Sequence, residues 1–354
     1  MAHDATWFRE QLLESPRWSA RILRCLLWLA SLPYGWIVRR RNAAYDSGYR
    51  RIERIEIPVV SVGNLTVGGT GKTPLVAWLA NWLAARDRRV VLVSRGYGSK
   101  IGSPNDEAKE LADKLPQIPH LQNRDRVAAG RLAIEQFQAE IIVLDDAFQH
   151  RRLHRDLDIV LLDALDPFGG DHLLPRGLLR EPLAGLARAS FVVLTRANLV
   201  DSATRHVIHQ RVAPLAPAAR WLEAGLTTGP LLRRGHDPLH DHTLRGARVV
   251  AFCGLGNPLG FRRTLAGAGA EIVEFREFPD HHAYGPQDLA ELEQRVAELS
   301  SDSRPIHFVV CTHKDWVKID RDSLAGSPLV ALTINIAWLS DVTPLEDALA
   351  ALIR

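Results

Sequence analysis

A lysine and a threonine side by side at the end of a glycine-rich run are groups with which proteins hold the phosphates of a nucleotide. Here they are Lys72 and Thr73, closing the run Gly63-Asn-Leu-Thr-Val-Gly-Gly-Thr-Gly-Lys-Thr73. Gly68, Gly69, Thr70 and Gly71 let successive backbone N–H groups point into one concavity. Lys72 is suited to reach the β- and γ-phosphates, and Thr73 to offer its hydroxyl to Mg2+. The run departs from GxxxxGK[ST] at its first position, where Thr66 stands in place of glycine. A second group belongs with it. The apolar run Ile-Ile-Val-Leu over 141–144 ends in Asp145 and Asp146. Carboxylates at the C-terminal end of a buried strand lie where α/β sheets bind ligands. One of the two is expected to hold Mg2+, directly or through water.

The elements that must position these groups are readable as periodicity. Short β-rich apolar runs at 57–62, 90–94, 141–144, 159–162 and 191–194 are separated by helical patterns, among them 74–85 and 126–137. Pro74 falls in the first turn of its helix, where it forfeits no needed donor. Strands buried on both faces and separated by helices predict a parallel α/β sheet. Residues 213–246, rich in Pro, Gly, His and Arg, read as a connecting region. Strands at 249–253, 271–275, 307–311 and 330–334, with helices at 258–268, 286–299 and 344–352, then predict a second, smaller α/β unit. The expected divisions are an N-terminal segment 1–54, a core 55–212, the connecting region 213–246 and a lobe 247–354.

Length and composition fit this. The chain has 354 residues, 46% hydrophobic and 24% charged, with a formal net charge of +3; that excludes a disordered chain, a collagen and a polytopic membrane protein. Three cysteines, Cys25, Cys253 and Cys311, form no CxxC pair, which predicts a reducing compartment and no structural zinc. Residues 1–54 hold ten arginines against five acids. Basicity gathered in one terminal segment predicts no nucleic-acid partner, which would call for a basic folded face. Within that segment, 25–38 reads CLLWLASLPYGWIV, free of charge and bracketed by Arg21 and Arg24 before and Arg39, Arg40 and Arg41 after. It falls short of the roughly 18–20 residues that span a bilayer, and Pro33 and Gly35 are expected to interrupt it. It lacks a small-residue cleavage site, so it does not read as a signal peptide. Trp28, Tyr34 and Trp36 with flanking arginines predict a helix lying in a membrane interface, the arginines on the cytoplasmic side.

Two related classes can be tested on the residues. A GTPase would carry an [NT]KxD element, and Thr312-His-Lys-Asp315 has its lysine one position late. Cytoskeletal-type ATPases carry a signature lysine just before the GG of the loop, where this chain has Val67. Both differences favour a nucleoside-triphosphate-using transferase.

The segments VGNLTVGGTGKTP (62–74), SRGYG (94–98), LDDAFQHRRLHRDLDIVLLD (144–163), LLPRGLLREPL (173–183), FCGLGNP (252–258) and FPDHHAY (278–284) occur in this order. Together they resemble the tetraacyldisaccharide 4'-kinase family, the lipid A 4'-kinases of Gram-negative bacteria, over roughly residues 20–320. The resemblance implies a P-loop NTPase-type parallel sheet core, a smaller C-terminal α/β lobe and an N-terminal membrane-associating helix. It implies ATP and Mg2+ as cofactors. The implied reaction moves the γ-phosphate to the 4'-hydroxyl of tetraacyldisaccharide 1-phosphate, giving the bis-phosphorylated tetra-acylated lipid A precursor and ADP. The implied location is the cytoplasmic face of the inner membrane, with the lipid and the membrane surface as partners and no obligate protein partner. The alternatives are a P-loop kinase of another membrane acceptor and a membrane-recruited P-loop ATPase switch. The chain departs from the family pattern in Asn105-Asp-Glu-Ala108 for GDEP, after a short preceding segment, in Ala147 of DDAFQH and in His313 of THKD.

The resemblance also implies an Asp–His pair on the acceptor side, which here is Asp106 and His281. A carboxylate beside an imidazole can accept the hydroxyl proton while the imidazole holds its orientation. Arg180 and Glu181 are assigned to the site, the arginine as a phosphate ligand; Glu181 is left between holding Mg2+ and orienting Arg180. Arg95, following a strand, is placed for an anionic group. Gln149 and His150 share a loop with the acidic pair and are expected to line the cleft.

Overall fold

Every residue of β1 (Val59–Asn64) is buried, which is what a strand covered by helices on both faces requires. The computed structural model describes residues 18–96, 106–256, 258–300 and 304–354, in two units. One takes in the described residues up to Leu226 together with Ile336–Arg354, the other Thr227–Asn335.

In the first unit the strands run in the order β7-β6-β5-β1-β4-β2-β3. They are β2 (Val90–Ser94), β3 (His120–Gln122), β4 (Ile141–Asp145), β5 (Leu157–Asp163), β6 (Phe191–Thr195) and the start of β7 (Arg220–Arg233). All six pairings are parallel. Thus β1 lies between β4 and β5, and Val62 is in register with Asp145. The two-residue period of a strand sorts the core. Ile141 and Val143 join Leu75, Leu79 and Leu83 of α2 (Lys72–Ala84). Ile142 and Leu144 instead meet Val127, Ala129 and Ala133 of α4 (Arg126–Phe137). The α2 leucines recur every four residues and are fully buried, each worth about 1.5–3 kcal/mol. The expected bounds of the central strands and of α4 agree with the structure to within a few residues.

The N-terminal helix α1 (Trp18–Asp46) is 29 residues long and runs through Pro33 and Gly35, where an interruption was expected. Proline removes a single backbone donor. Gly35 lets the helix press on the loop before Arg180, where a β-carbon would stand 2.8 Å from Leu173 Cδ1. Ser31, Gly35 and Val38, on one face, are buried; Trp18, Ile22, Leu26, Leu29, Trp36 and Ile37, on the opposite face, are exposed. By length and composition α1 is apolar enough to cross a membrane.

In the second unit β9 (Arg248–Cys253) pairs in parallel with β10 (Glu271–Glu277) and β11 (Phe308–Thr312), and the short β12 (Ser323–Leu324) pairs antiparallel with β13 (Ser327–Trp338), which is parallel to β11. After α5 (Ser202–Val212) of the first unit, the helices of the second are α6 (Pro258–Gly267), α7 (Pro286–Leu299) and the single turn α8 (His313–Trp316). The region 213–246, expected as a connection, instead carries the 14-residue β7 and an antiparallel β8 (His236–Leu239). Gly225, Gly229 and Pro230 mask β7 in the sequence. Gly229 has a packing reason, since a β-carbon there would fall 2.5 Å from Thr333 Oγ1 of β13. Residues 336–354, expected with the C-terminal lobe, belong to the first unit. Leu345 and Leu349 of α9 (Thr343–Leu352) join the α2 core, and Trp82 Nε1 donates to Glu346 Oε1 at 3.0 Å. An amphipathic pattern announces an apolar face without naming the sheet that covers it.

Gly63 sits where β1 passes the loop of the acidic pair. A β-carbon there would lie 2.6 Å from Phe148 Cβ and 2.7 Å from Phe148 N. Gly63→Ala is expected to lower stability by roughly 1–3 kcal/mol, read as a shift in the chemical-unfolding midpoint.

Candidate functional site

The phosphate loop leaves β1 at the middle of its sheet. Gly68 has φ +112° and Gly71 φ +83°, in the region open to glycine. Gly71 caps α2 without a side-chain hydrogen bond, so the first amides of α2 face the concavity with their partial positive charge. Neighbouring strand ends brace the loop. Thr195 Oγ1 donates to Thr70 O at 2.8 Å, and Arg196 Nη2 to Gly69 O at 2.9 Å. Arg196 is itself ion-paired with Asp163.

Asp145 ends β4 and is 3% exposed. Asp146 follows with φ +50°, a left-handed backbone that costs an ordinary residue roughly 1–2 kcal/mol. Arg180 Nη1 donates to both Asp146 oxygens, at 2.7 and 2.9 Å, and Lys72 Nζ stands 3.6 Å from Oδ1. Burial pushes the Asp146 carboxyl up, but Lys72 and Arg180 outweigh it and hold the group below the usual carboxylate range. Lys72 also donates to Asn64 Oδ1 at 3.4 Å.

Glu181 is fully buried. It accepts from Arg188 Nη2 at 2.8 Å, Asn42 Nδ2 at 3.0 Å and Gln149 Nε2 at 3.1 Å. Of the two roles left open for it, these three donors fit orientation of the Arg180 segment. The guanidinium–carboxylate bond of Arg180 is made to Asp146, where a phosphate contact was expected. The other loop members have distinct settings. Gln149 bridges Glu181 and Asn64 O, the latter at 2.8 Å. His150 Nε2 is buried without a hydrogen-bond partner; burial, then the charges of Arg126 and Arg155, hold its pKa down to about 4.

Two groups missed in the sequence belong here. Asn64 is fully buried at the end of β1. Arg126 is 2% exposed; burial, then Arg95, brings its pKa down to about 10, while Asp146 and Asp145 oppose the shift. A cation in the first turn of a helix works against the helix dipole, and that is the signal that could have singled out Arg126. Arg95 is exposed at the end of β2. Tyr97, Gly98, Asn105 and Asn257 of the quoted motifs lie outside the described residues. Asp106 is the first residue of α3 (Asp106–Lys114).

In the second unit three motifs converge. The fully buried Asp315 accepts Gly254 N–H at 2.9 Å and Thr312 Oγ1–H at 2.7 Å. Lys314 Nζ donates to Asp280 Oδ1 at 2.9 Å and to His281 Nε2 at 3.2 Å. An ammonium can only donate, so Nε2 of His281 is an acceptor in this pairing. His281 has φ +60°, the second site residue in a left-handed backbone; such strain gathers at functional positions. His282 Nε2 lies 3.0 Å from Asp288 Oδ2, with its ring stacked on Phe278. Asp106 and His281 belong to different units.

Among the described residues no cluster of three or more His, Cys, Asp or Glu could hold a metal. Mg2+ bound with a nucleotide needs only one or two carboxylates, the phosphates and water supplying the rest. The hard oxygen donors of Thr73 and of Asp145 or Asp146 fit that requirement.

A glycine-rich loop between a buried parallel strand and a helix, with acids at the end of the adjacent strand, defines a P-loop nucleotide-binding α/β protein. The family model for tetraacyldisaccharide-1-P 4'-kinase matches residues 23–354, and the chain belongs to that family. A tetraacyldisaccharide 4'-kinase of Geobacter sulfurreducens is 38% identical over 349 residues, 94% of each chain. One of Anaeromyxobacter sp. (strain Fw109-5) is 40% identical over 335 residues, covering 89% of this chain and 88% of that one. The crystal structure of LpxK from Aquifex aeolicus in complex with ATP matches with a TM-score of 0.72 at 30% identity, over 94% of this chain and all of that one.

Lys72→Ala should abolish phosphate transfer with the fold intact by circular dichroism. Lys72→Arg should fail as well, because a guanidinium is too broad to act as a point charge among glycine amides. Near-normal turnover of either variant would contradict the loop's role. His150 gives a pH prediction. Its native pKa of about 4 lies below the ordinary 6.5. As pH falls through that window the unfolded chain takes a proton that the native chain refuses, so stability falls with pH. His150→Gln should reduce the loss between pH 6.5 and 5 by on the order of 1 kcal/mol, measured by urea unfolding.

Proposed function

We infer that this chain transfers the γ-phosphate of ATP to the 4'-hydroxyl of tetraacyldisaccharide 1-phosphate, releasing ADP and the bis-phosphorylated lipid. The observation that carries the reading is the meeting of Lys72 and Arg180 on Asp146 at the phosphate loop. Phosphoryl transfer demands positioning and neutralisation of charge more than covalent help from the protein. The glycine amides and Lys72 hold the triphosphate. Mg2+, held by Thr73 and Asp145 or Asp146, would neutralise charge on the phosphates. Arg126 and Arg180 keep the acidic loop electrically balanced beside the incoming anion. On the acceptor side the 4'-oxygen attacks the γ-phosphorus as the bond to the β-phosphate oxygen breaks. The hydroxyl proton passes to Asp106, with His281 as its partner; this pairing rests on the two motifs. Lys314, through its bond to His281 Nε2, keeps that nitrogen an acceptor.

A four-chain lipid stays in its bilayer, and α1 supports a reading in which the enzyme comes to it. One face of α1 is docked, with Ala20, Ser31, Gly35 and Val38 buried, which leaves the opposite face, with Ile22, Leu26 and Leu29, to meet lipid. Arg9, Glu10, Glu14 and Arg17 lie ahead of the helix. This disposition supports a helix lying in the membrane interface on the cytoplasmic side. Its exposed apolar stripe supplies hydrophobic contact, and each arginine near anionic headgroups adds about 1 kcal/mol.

The direct experiment offers γ-labelled ATP and detergent-dispersed tetra-acylated disaccharide 1-phosphate. Label is expected in the lipid and absent from a 4'-deoxy analogue. Release of label solely as inorganic phosphate would overturn the reading in favour of an ATPase switch. Asp106→Ala and His281→Ala should each cut turnover while sparing ATP affinity. Their double variant should be little worse than the poorer single; additive losses would place the accepting carboxylate elsewhere.

A further inference from the structure

We propose that Tyr34 and Asn42 of α1 are positioning residues for Arg180, so that the helix meeting the membrane also braces the phosphate site. The inference rests on the phosphotransfer reading for its kinetic consequence, while its geometry stands apart from it. Tyr34 Oη–H donates to the carbonyl oxygen of Arg180 at 2.7 Å, and Asn42 Nδ2–H to Glu181 Oε2 at 3.0 Å. The acceptors are adjacent residues, and the donors lie eight residues apart on the docked face of one helix. The far end is locked in turn, since Arg151 donates to Asn42 O at 3.0 Å and to Asp46 Oδ1 at 2.6 Å.

The clamped segment touches the phosphate loop in two ways. Through its side chain, Arg180 holds Asp146, which Lys72 also faces. Through its backbone, Arg180 N–H donates to Leu65 O at 2.7 Å and Val67 N–H to Leu178 O at 2.9 Å, around the antiparallel bridge of Thr66 with Leu179. A shift of residues 178–181 therefore moves both the partner of Asp146 and the first residues of the loop. Glu181 makes the clamp stiff, because a fully buried carboxylate is stable only with its donors in place. Gly35 and Val38 also dock α1 by packing. The two polar bonds to Arg180 and Glu181 add to that packing, and they fall on the pair of residues that leads to Asp146.

The test compares the unaltered protein with Tyr34→Phe, Asn42→Ala and the lipid-facing variant Leu26→Asp. Turnover is measured on detergent-dispersed lipid at saturating ATP, partition on vesicles of phosphatidylethanolamine and phosphatidylglycerol, and amide exchange over residues 64–67 and 178–181. Loss of a neutral bond in Tyr34→Phe should lower kcat roughly 2–10-fold, and loss of a donor to a buried carboxylate in Asn42→Ala roughly 10–100-fold. KM for lipid and vesicle partition should stay unchanged, and amide exchange in both segments should quicken. Leu26→Asp should do the reverse, weakening vesicle partition while leaving amide exchange in both segments as it was. Asn42→Ala added to Arg180→Ala should cost nothing further, as expected of groups acting through one another. Unchanged exchange in both α1 variants, or losses additive with Arg180→Ala, would overturn the proposal. Tyr34→Phe keeps its ring and packing, so a folded variant is at hand. If the unaltered protein labels no lipid, the phosphotransfer reading fails, and amide exchange still decides the clamp.

Discussion

A carboxylate that must stay ionised beside a triphosphate needs cations on it before the nucleotide arrives. Asp146 is such a group: Arg180 donates to both its oxygens and Lys72 stands at 3.6 Å. Burial alone would push its proton affinity up, and the two cations reverse that. Much of the surrounding structure serves this arrangement. β1 and β4 are neighbours, so the loop carrying Lys72 and the loop carrying Asp146 leave the sheet side by side. Asp146 holds a left-handed backbone directly after the buried Asp145. The segment 178–181 pairs with residues 65–67 and so brings Arg180 to the same place.

The site also holds charge that an apolar core would reject. Arg126 is buried at the start of α4, against the helix dipole, and Asp145 and Asp146 offset only part of the cost of burying its guanidinium. In the second unit, Asp315 is buried under the amide of Gly254 and the hydroxyl of Thr312. That fixes the THKD turn against the end of β9. The same turn delivers Lys314 to Asp280 and His281. Buried ions of this kind contribute little net stability when complete and cost much when broken. Their presence is explained better by the geometry they impose than by stability.

The parts of the fold visible in the sequence are those in which local pattern and tertiary environment agree. β2, α4 and α7 are such elements, each an apolar run or helical period bounded by clear breakers. The phosphate loop is legible because its chemistry lies in consecutive residues. Arg180 and Asp146, by contrast, are 34 residues apart and meet only because segment 178–181 pairs with the loop. No periodicity encodes that. α1 was half legible. Its uncharged stretch stood out, but its continuation through Pro33 and the close approach of Gly35 to Leu173 are set by tertiary packing that no local pattern shows. β7 was hidden by glycines whose reason is the close approach of another strand. Asn64 and Arg126 looked like ordinary positions because burial of a polar group is a tertiary fact.

On the reading proposed above α1 lies with one face in the membrane, and its geometry would then tie the lipid to the chemistry. Ile22, Leu26, Leu29 and Trp36 lie on one side of the helix, while Ser31, Gly35, Val38 and Asn42 lie on the other. The first set repeats at the three- and four-residue spacing of a lipid-facing stripe, and the second at the same spacing toward the protein. A rigid helix with these two faces sets the distance between membrane and phosphate loop by its own diameter, about 10–12 Å with side chains. A water-soluble substrate could diffuse to the loop from any direction. A lipid whose chains remain in the leaflet can present its headgroup only at a fixed height above the membrane. A helix embedded on one side, as proposed, and hydrogen-bonded to Arg180 and Glu181 on the other would supply that height without any flexible linker between anchor and site.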